Sequence, residues 1–304
     1  MRRTRTLAGI GIAAVALLAL TACNSGTPSS TGTGGDDGGD ASSSTPWTVA
    51  TDVSLDGSPT FDRISSSGTI KVGVKEDQPG LGYLDPVTGE RTGFDVDIAR
   101  WMAASLGVDP EKIEFQAIAS ANREQAIVNG DIDYYVGTYS ITDKRKEQIS
   151  FAGPYFVTGQ GLLVGADSDI ESVDDLDSST TVCSATGSTP IQNINTNYPE
   201  VPTKEYDTYS KCVEDLKNGQ VDAVTTDEAI LIGYAAQDPD NLKVVGEPFS
   251  EERYGIGVAK DDTALVEYFN TQLTDGGDVW EQIFENNLGA SGVKATQPEV
   301  DPIS

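Results

Sequence analysis

Asn129-Gly130-Asp131-Ile132-Asp133 and Asn218-Gly219-Gln220-Val221-Asp222 are the two stretches whose reading decides the fold. In each, an amphipathic helical pattern stops at Asn-Gly and a strand pattern starts directly after it. Glycine at that point suits the left-handed residue that closes a helix. Working outward from the first stretch, Thr69-Ile-Lys-Val-Gly-Val74 alternates like a strand. Phe94, Ile98, Met102 and Leu106 recur at helical spacing and Gly107 closes that helix. Ile113-Glu114-Phe115 is a second short strand, and Ser120 caps a helix with Ile127 and Val128 inward. Ile132 to Thr138 is the third strand, giving β-α-β-α-β, an α/β lobe with a mostly parallel sheet. Around the second stretch the plan recurs. Val182–Ala185 is a strand, helices begin at Gly187 and span Thr208–Lys217, and Val221–Thr225 is a strand.

Carrying the offset between the two stretches forward from Thr138 lands on Asp227. Polar residues therefore end both strands at equivalent places. In open α/β sheets ligands sit beyond the carboxyl ends of strands, so two facing lobes would enclose a cleft there. Ser, Thr and Asp also suit ordinary strand ends and turns, so pattern alone leaves both readings open. Phe156–Val164 and Phe249–Val258 read as extended crossings between lobes, and two such crossings permit hinge bending. A last helix with Leu265, Phe269, Leu273, Trp280, Ile283 and Phe284 returns to the first lobe.

The N-terminus has a different character. Arg2, Arg3 and Arg5 precede an apolar run, Leu7–Leu20, too short to span a bilayer permanently; it reads as a signal peptide over residues 1–22. Leu20-Thr21-Ala22-Cys23 resembles the lipobox of bacterial lipoproteins, which implies acylation of Cys23 and an anchor in the membrane. Residues 23–59 are rich in Ser, Thr, Gly, Asp and Pro and are expected to form a flexible tether. The folded part is then 60–158 plus 254–292 for lobe 1 and 159–253 for lobe 2, with 293–304 as a disordered tail.

Several function classes are excluded by composition. The formal charge of −28 removes any nucleic-acid or anionic-membrane binder that works by general electrostatics. The count of zero histidines removes Ser-His-Asp catalysis, histidine-bearing zinc sites and histidine pH switches. No metal and no cofactor is expected. Beyond Cys23, Cys183 and Cys212 form an even pair in an exported chain, which reads as a disulfide rather than two buried thiols.

Gly93-Phe-Asp-Val-Asp-Ile-Ala99, Thr138-Tyr-Ser-Ile-Thr-Asp-Lys-Arg145 and Ile149-Ser-Phe-Ala-Gly-Pro-Tyr155 closely resemble the bacterial family 3 extracellular solute-binding proteins. The resemblance covers residues 62–292 and is nearest to the glutamate- and aspartate-binding lipoproteins of actinobacteria. It implies a two-lobed, periplasmic-binding-protein-like (type II) α/β fold that closes on an amino acid and delivers it to ABC transporter permease subunits. By family position Arg145 clamps the α-carboxylate, and a guanidinium can do so with two parallel hydrogen bonds. Thr138 and Ser140 meet the ligand's main-chain groups, and Thr186, Ser188 and Thr189 surround a helix start suited to the same carboxylate. Asp227 accepts from the ammonium. Lys75 and Arg123 hold the side-chain carboxylate, with Tyr209 and Ser120 assisting.

These charges sum to +2, which suits glutamate or aspartate and leaves glutamine facing uncompensated cations. The chain's own negative field is screened beyond about 10 Å at ~0.1 M salt, so local cations can prevail. The expected protein is a monomer, outside the cytoplasm on the outer face of the cell membrane. The competing readings are a binder of another polar amino acid such as glutamine, and a sensor lipoprotein. An enzyme of the same fold would need paired carboxylates with divergent pKa values, and none is evident.

Overall fold

The computed structural model describes residues 45–302. The apolar run, Cys23 and most of the tether, and so the expectations of a signal peptide and an acylated cysteine, lie outside the described residues. Among the described residues no helix is long and apolar enough to cross a membrane.

The packed part of the chain starts earlier than the tether reading placed it. Trp47, Val53 and Leu55 pack on the core before helix α1 (Pro59–Ser67). That helix has Ser58 as its cap, accepting from the Phe61 amide at 3.1 Å, and ends at Gly68 in the left-handed conformation. Strand β1 (Ile70–Val74) leads to a small antiparallel sheet of β2 (Asp77–Gln78), β3 (Gly82–Leu84) and β4 (Arg91–Thr92). Helix α2 (Phe94–Ser105) buries Phe94, Ile98 and Met102 as their spacing predicts. It starts at Gly93 because a Cβ there would stand 2.1 Å from the Leu81 carbonyl oxygen.

Strand β5 (Ile113–Ala117), helix α3 (Arg123–Val128) and strand β6 (Tyr134–Tyr135) follow. Two expectations are corrected here. Ser120 opens a short 3-10 turn rather than capping α3, and Val128 is 55% exposed, because its neighbour Ile127 takes the inward direction. The third strand is only two residues long, not Ile132–Thr138. After the Val136 amide bonds the Gly73 carbonyl, the Thr138 amide turns away to Asp95.

Helix α4 (Asp143–Lys146) precedes β7 (Ser150–Thr158), which passes through Gly159 into β8 (Gln160–Gly165). The second lobe then adds β9 (Val182–Ala185), α5 (Thr189–Asn197), β10 (Thr203–Tyr206), α6 (Tyr209–Lys217), β11 (Ala223–Asp227), α7 (Glu228–Gln237) and β12 (Leu242–Val245). The chain returns through 246–251 to β13 (Glu252–Val258), so Glu252 and Arg253 join the first sheet two positions before the expected boundary. Helices α8 (Thr263–Asp275) and α9 (Gly277–Asn287) complete it.

The sheet orders are β5-β1-β6-β13-β7 and β10-β9-β11-β8-β12. The fold is the expected two-lobed α/β plan with two crossings, but the sheets are mixed rather than mostly parallel. In the first, β13 runs antiparallel to both β6 and β7; in the second, β8 runs antiparallel to β11 and β12. The cause is the crossings themselves, since each crossing strand or its partner enters a sheet against the grain of the βαβ units.

The tail is corrected too. Residues 293–302 lie on the first lobe, with Val293, Ala295 and Val300 against the core. Arg253 donates to Asp301 Oδ1 at 2.5 Å and the Asp301 amide to the Gly153 carbonyl at 2.8 Å.

Cys183 on β9 and Cys212 on α6 are disulfide-bonded and fully buried. Their sequence separation of 29 corresponds to a loop whose closure in the unfolded chain is worth about 3–4 kcal/mol. A Cys183→Ala/Cys212→Ala variant is expected to lose up to that amount in urea unfolding. A midpoint within error of the parent would show that the bridge does not stabilise the second lobe.

Candidate functional site

The site grows from strand ends. Lys75 follows β1 directly, so its side chain leaves the sheet edge toward the second lobe; it donates from Nζ to the Ser120 hydroxyl at 2.7 Å. Arg123, at the first position of α3, donates from Nε to the Ser120 carbonyl at 3.1 Å and from Nη1 to the Thr138 carbonyl at 3.3 Å. Ser120 thus ties the two cations together.

Thr138-Tyr139-Ser140 lies where the chain leaves β6. Thr138 has φ of 47°, a conformation that a β-branched residue adopts only when its surroundings impose it. Three groups do so here. The Thr138 amide donates to Asp95 at 2.9 Å, its hydroxyl lies 3.1 Å from Gln78 Nε2, and its carbonyl accepts from Arg123. The Tyr139 ring centroid lies 4.3 Å from the Arg123 guanidinium and 4.9 Å from that of Arg145. The ring's negative faces offset the repulsion between those cations.

Arg145 sits in α4, whose cap Thr142 accepts from the Arg145 amide at 3.3 Å. Its guanidinium donates to the Ser140 carbonyl at 2.6 Å, to the Gly187 carbonyl at 3.2 Å and to Glu124 at 3.1 Å. The bond to Gly187 reaches the second lobe. So does the 3.2 Å approach of the Ser140 and Thr189 hydroxyls.

From the second lobe, Asp227 ends β11 and takes a hydrogen bond from Tyr254 at 2.6 Å on Oδ2. Among the described residues its Oδ1 has no hydrogen-bond partner although it is buried. Tyr209, first in α6, is buried beside Asp227, Thr226 and Ser188, and burial pushes its hydroxyl up to about 12. Ser188 caps α5 by accepting from the Ile191 amide, while Thr189 donates to Glu252 at 2.8 Å. Thr186 stands at the rim, half-buried, with its amide on the Tyr206 carbonyl.

The sequence-derived set therefore converges, except for the peripheral Thr186. Lys75, Ser120, Arg123, Thr138, Ser140, Arg145, Ser188, Tyr209 and Asp227 are all buried in the gap between the two sheets. Sequence reasoning missed Gln78, Asp95, Glu124, Glu252 and Tyr254, and assigned no role to Tyr139, which lies between Thr138 and Ser140. Tyr139 and Asp95 lay inside the motifs already quoted. Glu252 and Tyr254 are distant in sequence and reach the site only through the second crossing.

Electrostatics follow from the burial. Desolvation, then the charge of Arg123, draws the Lys75 ammonium down to about 7. Burial pushes the Asp95 carboxyl up to about 7 against the hydrogen bonds of Tyr155 and the Thr138 amide. Burial and the nearby Glu252 hold Asp227 well above the usual carboxylate range, although Arg123 and Arg145 pull the other way. Buried cations held largely by neutral acceptors and a carboxylate oxygen without a donor can together receive a small zwitterion.

Residues 70–279 match the family model for bacterial extracellular solute-binding proteins, family 3. The chain belongs to that family. The match spans both sheets and every residue of the site. Among relatives of this solute-binding protein, the glutamate-binding protein GluB of Corynebacterium efficiens is 44% identical over 73% of this chain and 80% of its own length. The glutamine-binding protein of Geobacillus stearothermophilus is 42% identical over 86% of this chain and 95% of its own. In three dimensions, the cysteine-binding protein of Campylobacter jejuni superposes with a TM-score of 0.73 at 27% identity, covering 81% of this chain and 99% of that one.

The Asp227 carboxyl makes a stability prediction. A buried acid whose pKa is raised binds more protons folded than unfolded, so stability falls as pH rises above its solution value near 3.8. Asp227→Asn is expected to melt higher than the parent at neutral pH when no amino acid is added, and to lose any amino-acid-induced rise in Tm. A lower melting temperature for the variant would mean that the carboxylate is held by compensating contacts instead.

Proposed function

We propose that this protein captures an acidic amino acid, glutamate or aspartate, between its two lobes and hands it to the permease of an ABC transporter. The reading rests above all on three buried cations, Lys75, Arg123 and Arg145, gathered with one half-satisfied carboxylate, Asp227, in a single gap. Arg145 binds the α-carboxylate with Ser140, Thr189 and the start of α5. Asp227 receives the ammonium, and Thr138 meets the ligand's main-chain groups. Lys75 and Arg123 take the side-chain carboxylate, with Tyr209 and Ser120 assisting. The roles of these residues are assigned from the family resemblance and are compatible with their burial and hydrogen bonding. The GluB relative supports glutamate.

Glutamine is the second reading, favoured by the Geobacillus relative and by a Lys75 whose pKa of about 7 lets it lose its charge. An acidic ligand uses the charge of Arg123, whereas an amide can only accept or donate hydrogen bonds. The protein works without catalysis, as a monomer held to the outer face of the membrane through a lipid on Cys23, with no nucleic-acid partner.

Calorimetry against glutamate, aspartate, glutamine, asparagine, arginine and histidine decides between the two. Arg123→Met is expected to cost glutamate at least about 2 kcal/mol, roughly thirtyfold, and glutamine clearly less. Equal losses would take Arg123 out of the selectivity role.

Lys75 gives a separate check through pH. A carboxylate arriving beside it raises its pKa, so binding takes up a proton wherever the free protein has lost one. Arg123 and Arg145 lower its pKa, whereas Asp77 and Asp207 raise it. Glutamate affinity should be greatest below about pH 7 and weaken above it, by at most about tenfold per pH unit for one linked proton. Ionisation of Asp95 over the same range acts in the same direction, while ionisation of Asp227 opposes it. Lys75→Met should flatten the alkaline limb; the same slope in that variant would place the titrating group elsewhere.

A further inference from the structure

Away from the residues assigned to the amino acid, the lobes meet at a second place. Asp77 begins β2 on the first lobe, just beyond Lys75. Its carboxylate accepts from the Ser210 amide at 3.1 Å, at the start of α6 in the second lobe. Helix α6 lacks a cap of its own, for Thr208 precedes it without a side-chain bond to its amides. The helix start thus takes its acceptor from the opposite lobe, where a carboxylate also complements the helix dipole.

Two further contacts lie beside it. Tyr234 of α7, buried, donates its hydroxyl to the Asp77 carbonyl and approaches Asp77 Oδ2 at 3.3 Å. Gly233 lies against the backbone of Pro79, and a Cβ at that position would stand 2.3 Å from the Pro79 carbonyl oxygen. Only glycine permits so close an approach between these lobes.

We propose that Asp77, Gly233 and Tyr234 form a clasp that holds the lobes together through contacts made by none of the residues assigned to the ligand. Asp77 is a positioning residue. By engaging α6 it fixes the helix that starts with Tyr209 and is tied to β9 by the disulfide, so closing the lobes and seating Tyr209 are one event. The clasp slows escape of a bound amino acid without choosing which one enters. It rests on reading the protein as closing around an amino acid, yet its geometry involves no ligand atom.

The test uses the purified full chain with Asp77→Ala and Gly233→Ala. Tyr234→Phe, which removes one hydroxyl, serves if either fails to fold. Because Asp77 also raises the Lys75 pKa, release is read well below pH 7, where Lys75 stays charged. Stopped-flow release of glutamate should quicken about tenfold there, as loss of a hydrogen bond to a charged group predicts, while association changes little. The ratio of glutamate to aspartate affinity should stay unchanged. Small-angle scattering without amino acid should give a larger radius of gyration for the variants than for the parent. Unaltered release and scattering overturn the clasp, as does a fall in Tm with unaltered scattering, which would mean Asp77 merely steadies α6. If the parent binds no acidic amino acid, the proposed ligand fails, and the scattering comparison still decides the clasp.

Discussion

Charge withdrawn from water is the constraint on which the rest of this structure turns. Lys75, Arg123, Arg145 and Asp227 are buried together, and burying an ion costs several kcal/mol even after relaxation. The fold offsets that cost mostly with dipoles. The carbonyls of Ser120, Thr138, Ser140 and Gly187 accept from the two arginines, and the Tyr139 ring lies close to both guanidiniums. Glu124 is the one carboxylate that pairs directly with Arg145 among the described residues. Neutral acceptors stabilise the cations without cancelling them. Attraction for an anion is therefore left over in a gap from which water is largely excluded.

The two crossing strands hold this arrangement at opposite ends. Tyr155 of β7 donates to Asp95 at 2.8 Å, and Asp95 in turn fixes the amide of Thr138 in its left-handed conformation. Tyr254 of β13 donates to Asp227. Phe156 stacks on Tyr254 with ring centroids 5.6 Å apart and Tyr155 meets the same ring at 6.1 Å, so the two hinge strands share aromatic contacts between these supports. Tyr155 and Asp95 both belong to the first lobe, whereas the Tyr254–Asp227 bond joins the first sheet to the second, so only the latter spans the hinge.

The protein is strongly acidic overall and locally basic within. These facts are compatible because screening removes distant charges at physiological salt, whereas the buried cations act over a few ångströms through a medium poor in water. The family is shared with relatives whose names indicate different amino acids, glutamate and glutamine among them.

The sequence by itself determined the two-lobed α/β plan, because helix–glycine–strand periodicity recurs with the same local chemistry in each half and needs no tertiary partner to be read. The Asn-Gly repeat set Thr138 and Asp227 at equivalent strand ends but left their meaning open, and the family resemblance singled out Arg145, Lys75 and Arg123. Only the tertiary structure decided what depends on approach between distant segments. The short β6, the mixed sheets, the ordered segments at 45–58 and 293–302, and the roles of Tyr254, Glu252 and Asp77 all arise there. In each case a hydrogen bond or a packed backbone contact links residues far apart in the chain. Local propensity contains no information about such partners; the strain at Thr138 is tolerated only because Asp95, Gln78 and Arg123 are brought to it by three different elements.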